Sequence, residues 1–184
     1  MTLADSIVAL CQQARSAARQ LARTPTPSKN RALERVATEL RRNQAALLRA
    51  NERDVSRASA AGSSSALIDR LRLDEKRIEA MARGVEEVVR LPDPVGETIA
   101  CWRRPNGLEI CQVRIPIGVV GIVYESRPNV TVDAAALCLK SGNASILKGG
   151  SEAIETNREL ARIVAAAVAA EGLPEAAVQL LPTT

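Results

Sequence analysis

Histidine and phenylalanine are both absent from this 184-residue chain, which holds one tryptophan and one tyrosine. Without histidine, a Ser-His-Asp or Cys-His catalytic arrangement and any His-based zinc site are excluded within it. The dearth of aromatics also removes the stacking platforms on which single-strand nucleic-acid binders rely. The basic balance is a formal +4, with nine Lys or Arg against three Asp or Glu in the first fifty residues. It therefore reads as solvated helix faces, with no nucleic-acid partner expected. Long apolar runs are missing too: nothing approaches the about 18 residues of a membrane span. Asp5, Gln12 and Gln13 interrupt any signal-peptide core near the amino terminus. Four cysteines, at 11, 101, 111 and 138, form no Cys-x-x-Cys pair. A soluble, cytoplasmic protein with free, reduced thiols is the expectation, with no membrane and no metal.

What is present is a globular composition, 46% hydrophobic and dominated by Ala, Leu and Val. Leu3, Ile7, Leu10, Cys11, Ala14, Ala18 and Leu21 keep helical spacing, and Thr24-Pro25-Thr26-Pro27 stops that helix. Ser28 is positioned to cap one long second helix with the stripe Leu33, Val36, Ala37, Leu40, Gln44, Leu47 and Leu48. A small-residue loop from Ala60 to Ser65 and a short helix from Ala66 to Leu71 follow. Asp74 then caps a helix to Arg90 whose buried row is Ile78, Met81, Val85 and Val88.

Between Ile99 and Arg114, alternating residues flank Arg104-Pro105-Asn106-Gly107. Proline at the second turn position with a later glycine suits a three-residue hairpin loop, and this register sets Cys101 opposite Cys111. A two-residue Asn-Gly loop would put them on opposite faces. Exposed hairpin edges need covering, so this hairpin is expected to serve subunit contact in a homo-oligomer, the alternative being that it folds back on its own domain.

Gly118 to Glu152 reads strand, polar loop, helix, turn, strand, loop. It predicts a buried strand over Val119–Val123, a crossover helix over Val130–Lys140 closed by Gly142, and a second strand over Ser145–Lys148. A second crossover helix, Glu152–Glu171, and a third strand, Ala177–Leu181, complete an α/β pattern. The whole is a partial Rossmann-like parallel sheet with an amino-terminal helical tier and a projecting β-hairpin. The divisions are 1–95, helical part of the cofactor domain; 96–115, hairpin; and 116–184, the βαβαβ portion.

Ligands of such sheets lie beyond the carboxyl ends of the strands. There Lys148, followed by Gly149, Gly150 and Ser151, suits a ribose or its 2′-phosphate, though an exposed lysine before a helix reads as well. Beyond the first strand, Arg127 suits a carboxylate or phosphate, and Ser126 and Asn129 can donate to a developing oxyanion. A polar turn in which Asn129 caps the next helix is the alternative. Cys138, among Leu137 and Leu139, reads as core.

The strings WRRPNGLEI (102–110), ALIDRL (66–71), RIEAMARGVEEVVRLPDPVGE (77–97) and GVVGIVYESRPNVTVDAAALCLKSGNASILKGGSEA (118–153) resemble the γ-glutamyl phosphate reductases of the aldehyde dehydrogenase superfamily. That resemblance implies NADPH-dependent reduction of glutamyl 5-phosphate to glutamate 5-semialdehyde in proline biosynthesis. It also implies NADP contacts at Lys148 and across Gly149–Glu152, and an oxyanion-stabilising asparagine in the Tyr124–Asn129 loop. Members of the family are more than twice as long. None of the four cysteines matches the nucleophile's motif, so the chain is expected to be an amino-terminal part that is inactive alone. A non-catalytic or oligomerisation module of the same family is the other reading.

Overall fold

The computed structural model describes residues 2–181. Helix α1 (Leu3–Leu21) starts at a reciprocal cap: Thr2 Oγ1 accepts from Asp5 N at 3.2 Å, and the Asp5 carboxylate accepts from Thr2 N at 2.8 Å. The expected apolar stripe is buried only in its second half, at Ala14, Ala18 and Leu21, whereas Leu3, Ile7 and Cys11 are exposed. A 19-residue helix runs about 28 Å, longer than the short strands on which it lies, so its first turns overhang.

The single long second helix is instead two. Helix α2 (Thr26–Arg42) starts before Ser28, with Pro27 in its first turn, and α3 (Gln44–Ala60) follows after Asn43. Asn43 leaves helical geometry at φ −96°, ψ 13°, and its amide donates to Glu39 O at 2.8 Å. A side chain that bonds the preceding turn competes with the ladder and bends the chain there. Helix α2, with Leu33, Val36 and Leu40 buried, packs on α5 and α7, and α3, with Leu47 and Ala50 buried, packs chiefly on α7.

Helix α4 (Ser65–Leu71) is capped by Ser64, and α5 (Glu75–Arg90) by Asp74, as its spacing implies. Ile78, Met81 and Val85 are buried on α5. Arg41 of α2 bridges to α5 through Glu79 at 2.9 Å and Glu86 at 2.5 Å. Deeper, the buried Lys29 pairs with Asp93, and the buried Lys140 donates to Asn30 Oδ1 at 2.7 Å and Val89 O at 2.8 Å. These bonds pin the ends of α2, α5 and α6 together.

Strands β1 (Thr98–Arg103) and β2 (Glu109–Val113) form the hairpin around a three-residue loop. Gly107 takes φ 86° and donates to Arg104 O at 2.9 Å, and Arg104 N bonds Leu108 O at 2.8 Å. Cys101 therefore faces Cys111, Cα to Cα 4.1 Å, in the register the turn residues imply. The expectation of free thiols is overturned, because Cys101 and Cys111 are joined by a disulfide. The pair falls at a non-hydrogen-bonded position, where opposed side chains approach most closely. Both strands are exposed almost throughout, so the hairpin projects and does not fold back on its domain.

Strand β3 (Val119–Val123), α6 (Pro128–Lys140), β4 (Ala144–Lys148), α7 (Ile154–Ala170) and β5 (Val178–Leu180) make a parallel sheet in the order β3-β4-β5. The register runs Val119 to Ala144 and Val123 to Lys148, then Ser145 to Val178. β3 was expected to be buried; it is half-covered, and Val123 is 84% exposed. Among the described residues it is an outer strand paired on one side alone, while the central β4 is enclosed. Short 3-10 turns, Ser151–Ala153 and Glu175–Ala177, absorb the ends expected to extend α7 and β5. One continuous core joins α1, α2, α5, α6, α7 and the sheet.

Candidate functional site

The carboxyl ends of β3 and β4 lie side by side, with Tyr124 N bonded to Lys148 O at 3.0 Å. This brings the two candidate loops into contact. Ser126 Oγ donates to the Glu152 carboxylate at 2.5 Å. That bond first, then a backbone amide, the Ser151 hydroxyl and the nearby Lys148 charge, hold the Glu152 carboxyl below its ordinary value against the effect of burial. Glu152 is thus an anion fixed at the mouth of the sheet. Lys148 is half-buried, and its ammonium donates to Gly149 O at 3.2 Å.

The two glycines serve this junction. A Cβ on Gly149 would overlap the Asn157 amide and the Tyr124 ring, and one on Gly150 would overlap Ser126 Oγ and Glu152. Neither has a positive φ, so lack of a side chain, not backbone freedom, is what the site requires. The close approach inferred for a ligand is here an approach of one loop to the other.

Arg127 and Asn129 stand apart from that junction. Arg127 occupies the cap position of α6 without a side-chain capping bond, and it is exposed, 3.6 Å from Glu125. Asn129 does not cap the helix either; its amide donates to Asp133 at 3.0 Å, one turn on. Both line a cavity of about 510 Å³ between α4, α5 and α6. Ser151 and Glu152 instead line a cleft of about 670 Å³ together with Arg57 and Arg158. The six-residue polar loop and the glycine turn thus serve two different hollows, joined through Ser126 and Glu152.

Sequence reading missed the support behind the glycine turn. Asp54, fully buried on α3, accepts from Thr156 N at 2.8 Å, Thr156 Oγ1 at 2.7 Å and Glu155 N at 3.2 Å, so it caps α7 from another helix. Asn51, one turn earlier, bonds Leu71 O at 2.8 Å and Leu73 N at 2.7 Å. Tyr124 Oη, Thr131 Oγ1 and Asn157 Oδ1 form a second chain under the loop at 2.7 and 3.0 Å. Asp54 looked like one more polar residue on an amphipathic helix, and no local signal marks it.

Of the free thiols, Cys11 is exposed on α1 and Cys138 is buried in α6, where burial pushes its thiol up. Neither lines the two hollows. Among the described residues no helix is long and apolar enough to cross a membrane.

Helices on a parallel sheet, polar loops at its carboxyl edge and a projecting hairpin define an α/β domain of the Rossmann-like class. The chain belongs to the aldehyde dehydrogenase family, whose model matches residues 2–184. It is 53% identical over 184 residues to a γ-glutamyl phosphate reductase of Halothermothrix orenii, covering 100% of this chain and 44% of that one. A relative of the same name from Parvibaculum lavamentivorans is 56% identical over 171 residues, 93% of this chain and 40% of its own. The chain thus spans less than half the length of these curated relatives.

Among solved structures, the γ-glutamyl phosphate reductase of Thermotoga maritima superposes with a TM-score of 0.94 at 41% identity, over 96% of this chain and 43% of that one. The Saccharomyces cerevisiae enzyme of that name gives 0.90 at 36%, over 95% and 45%. An acetylating aldehyde dehydrogenase from Geobacillus thermoglucosidasius, 14% identical with a TM-score of 0.68 over 97% of this chain and 37% of its own, shares the fold alone.

Proposed function

We propose that this chain forms the cofactor side of an NADPH-dependent reductase that converts glutamyl 5-phosphate to glutamate 5-semialdehyde and phosphate. The observation that carries the reading is its identity of 50% or more to γ-glutamyl phosphate reductases over nearly its whole length. The residues present fit the cofactor. Lys148 ends β4 with donor capacity to spare, Ser151 offers an exposed hydroxyl, and the Arg57 and Arg158 side chains bring positive charge to the cleft beside it. These groups suit the adenosine ribose and its 2′-phosphate. NADPH, when bound, supplies the hydride.

The chain's own residues hold and orient. Glu152, oriented by the Ser126 hydroxyl, accepts from sugar hydroxyls, and Gly149 and Gly150 keep its loop against the Tyr124–Asn129 segment. Ser126, Arg127 and Asn129 face the substrate side, Arg127 taking an anionic group. A thiol nucleophile is not provided within residues 1–184: Cys101 and Cys111 are bonded to each other, Cys138 is buried, and Cys11 sits on the overhanging part of α1. We assign residues 1–95 and 116–184 to one cofactor-binding unit and the exposed 96–115 hairpin to contact between copies in a homo-oligomer. The setting is the cytoplasm.

Fluorescence titration tests the reading. NADPH should bind saturably, and tighter than NADH by about tenfold, as one added phosphate–cation contact implies. Lys148→Ala should weaken NADPH binding by a similar factor. Absence of saturable NADPH binding would overturn the cofactor role, and turnover of glutamyl phosphate by the 184-residue chain alone would overturn the division of labour.

A further inference from the structure

The cavity between α4, α5 and α6 carries charge of both signs: Arg70, Arg72, Arg77 and Arg127, with Asp69 and Asp133. These charges are not equally available. Arg77 is bonded within the wall, to the carbonyls of Asp69 and Arg72 and to the Asp69 carboxylate at 3.0 Å. Arg70 and Arg127 each lie 3.6 Å from Glu125. Among the described residues, Arg72 is then a cation of the cavity without an anionic partner, and Asp133 a carboxylate without a cationic one.

Asp133 is half-buried and, among the described residues, receives the Asn129 amide alone, at 3.0 Å. A carboxylate in such a place, without a counter-ion, is unfavourable unless something else brings the positive charge. Leu73, Ala80 and Met81 line the same hollow and offer a short apolar wall. One cation, one anion and an apolar strip fit a zwitterion that ends in a carbon chain. The volume, about 510 Å³, lies in the range of small-molecule sites.

We propose that this cavity seats the amino-acid end of the substrate, Asp133 receiving the α-ammonium group and Arg72 the α-carboxylate. The inference rests on the reductase reading above and specifies how that substrate is chosen. Anchored there, with its methylenes along Met81, the ligand directs its side-chain acyl group toward Arg127 and Ser126 at the carboxyl edge of the sheet. A diacid lacking the ammonium leaves Asp133 uncompensated and is rejected, since unpaired buried polar groups discriminate more sharply than apolar contacts.

Met81 supplies the probe, because Met1 is the only other methionine. In the chain labelled at methionine methyl carbons, L-glutamate should shift the Met81 resonance saturably. Glutarate, which lacks the ammonium, and 4-aminobutyrate, which lacks the α-carboxylate, should bind about tenfold more weakly or worse. Asp133→Asn should reduce the preference for L-glutamate over glutarate to near unity, while Asp69→Asn keeps it. Arg72→Gln, at an exposed position, should erase the preference over 4-aminobutyrate.

Equal affinity of the wild type for L-glutamate and glutarate overturns the proposal, as does a preference that survives Asp133→Asn. Unfolding temperatures check that each variant is folded, and Asp133→Glu, which keeps the charge, should retain part of the preference. NADPH titration of the same samples separates the two readings. Cofactor binding without glutamate binding removes the seat and leaves the reductase reading standing. Glutamate binding without cofactor binding does the reverse.

Discussion

Ser126 Oγ and the Glu152 carboxylate, 26 residues apart in the chain, meet at 2.5 Å and close the carboxyl edge of the sheet. Their bond holds the Glu152 carboxyl below its ordinary value. Glu152's folded pKa is lowered, so its contribution to stability is fully present above the ordinary carboxylate value and is lost as pH falls through the lowered one. Ser126→Ala should therefore cost about 1 kcal/mol at neutral pH. The gap between variant and wild type should narrow below about pH 4. Chemical denaturation at a series of pH values measures it; a pH-independent gap would show that the bond does not tune Glu152.

Gly150→Ala places a methyl group against Ser126 and Glu152 and should destabilise by about 2 kcal/mol while weakening NADPH binding. Gly121→Ala, whose added carbon meets nothing within 4 Å, is the control and should be near neutral. Equal unfolding midpoints for the two variants would remove the role assigned to Gly150.

Asp54→Ala strands the amides of Glu155 and Thr156 and the Thr156 hydroxyl at the start of α7. The expected loss is about 3 kcal/mol. Hydrogen exchange should localise the opening to the first turn of α7 and the glycine turn before it. Protection unchanged in that turn would argue that α7 holds its own end.

Thiol counting tests the hairpin. In the native, unreduced chain iodoacetamide should label one cysteine, Cys11; unfolding without reductant should add Cys138, and reduction the remaining pair. Because β1 and β2 pack chiefly on each other, reduction should speed amide exchange in residues 98–113 and leave the core midpoint nearly unchanged. Four reactive thiols in the unreduced, unfolded chain would sink the disulfide.

How much could be read beforehand follows from how far apart the partners lie. Asp74, Gly107, Gly142 and the prolines at 25 and 27 act on neighbours within a few residues, so the α5 cap, the hairpin turn and these helix ends were legible, whereas the cap expected of Ser28 was not found. The same turn chemistry set Cys101 against Cys111. Whether those thiols bond, however, depended on the approach of two strands, and an argument from the cell's redox state gave the wrong answer. The break at Asn43 was hidden because leucine periodicity continues across it. Likewise Lys148, Ser126 and Glu152 could be nominated from their places after strands, yet their contacts could not.

By itself, then, the amino-acid sequence determined the order of the strands and the helices between them, the parallel α/β class, the hairpin register and the candidate loops, because periodicity and turn stereochemistry are local. Tertiary structure alone decided that Ser126 holds Glu152, that Asp54 caps a helix 102 residues away, and that Asp133 lines a cavity whose arginines, among the described residues, do not pair with it. Those are contacts between distant residues, made only when helices and strands pack, and no spacing along the chain encodes them.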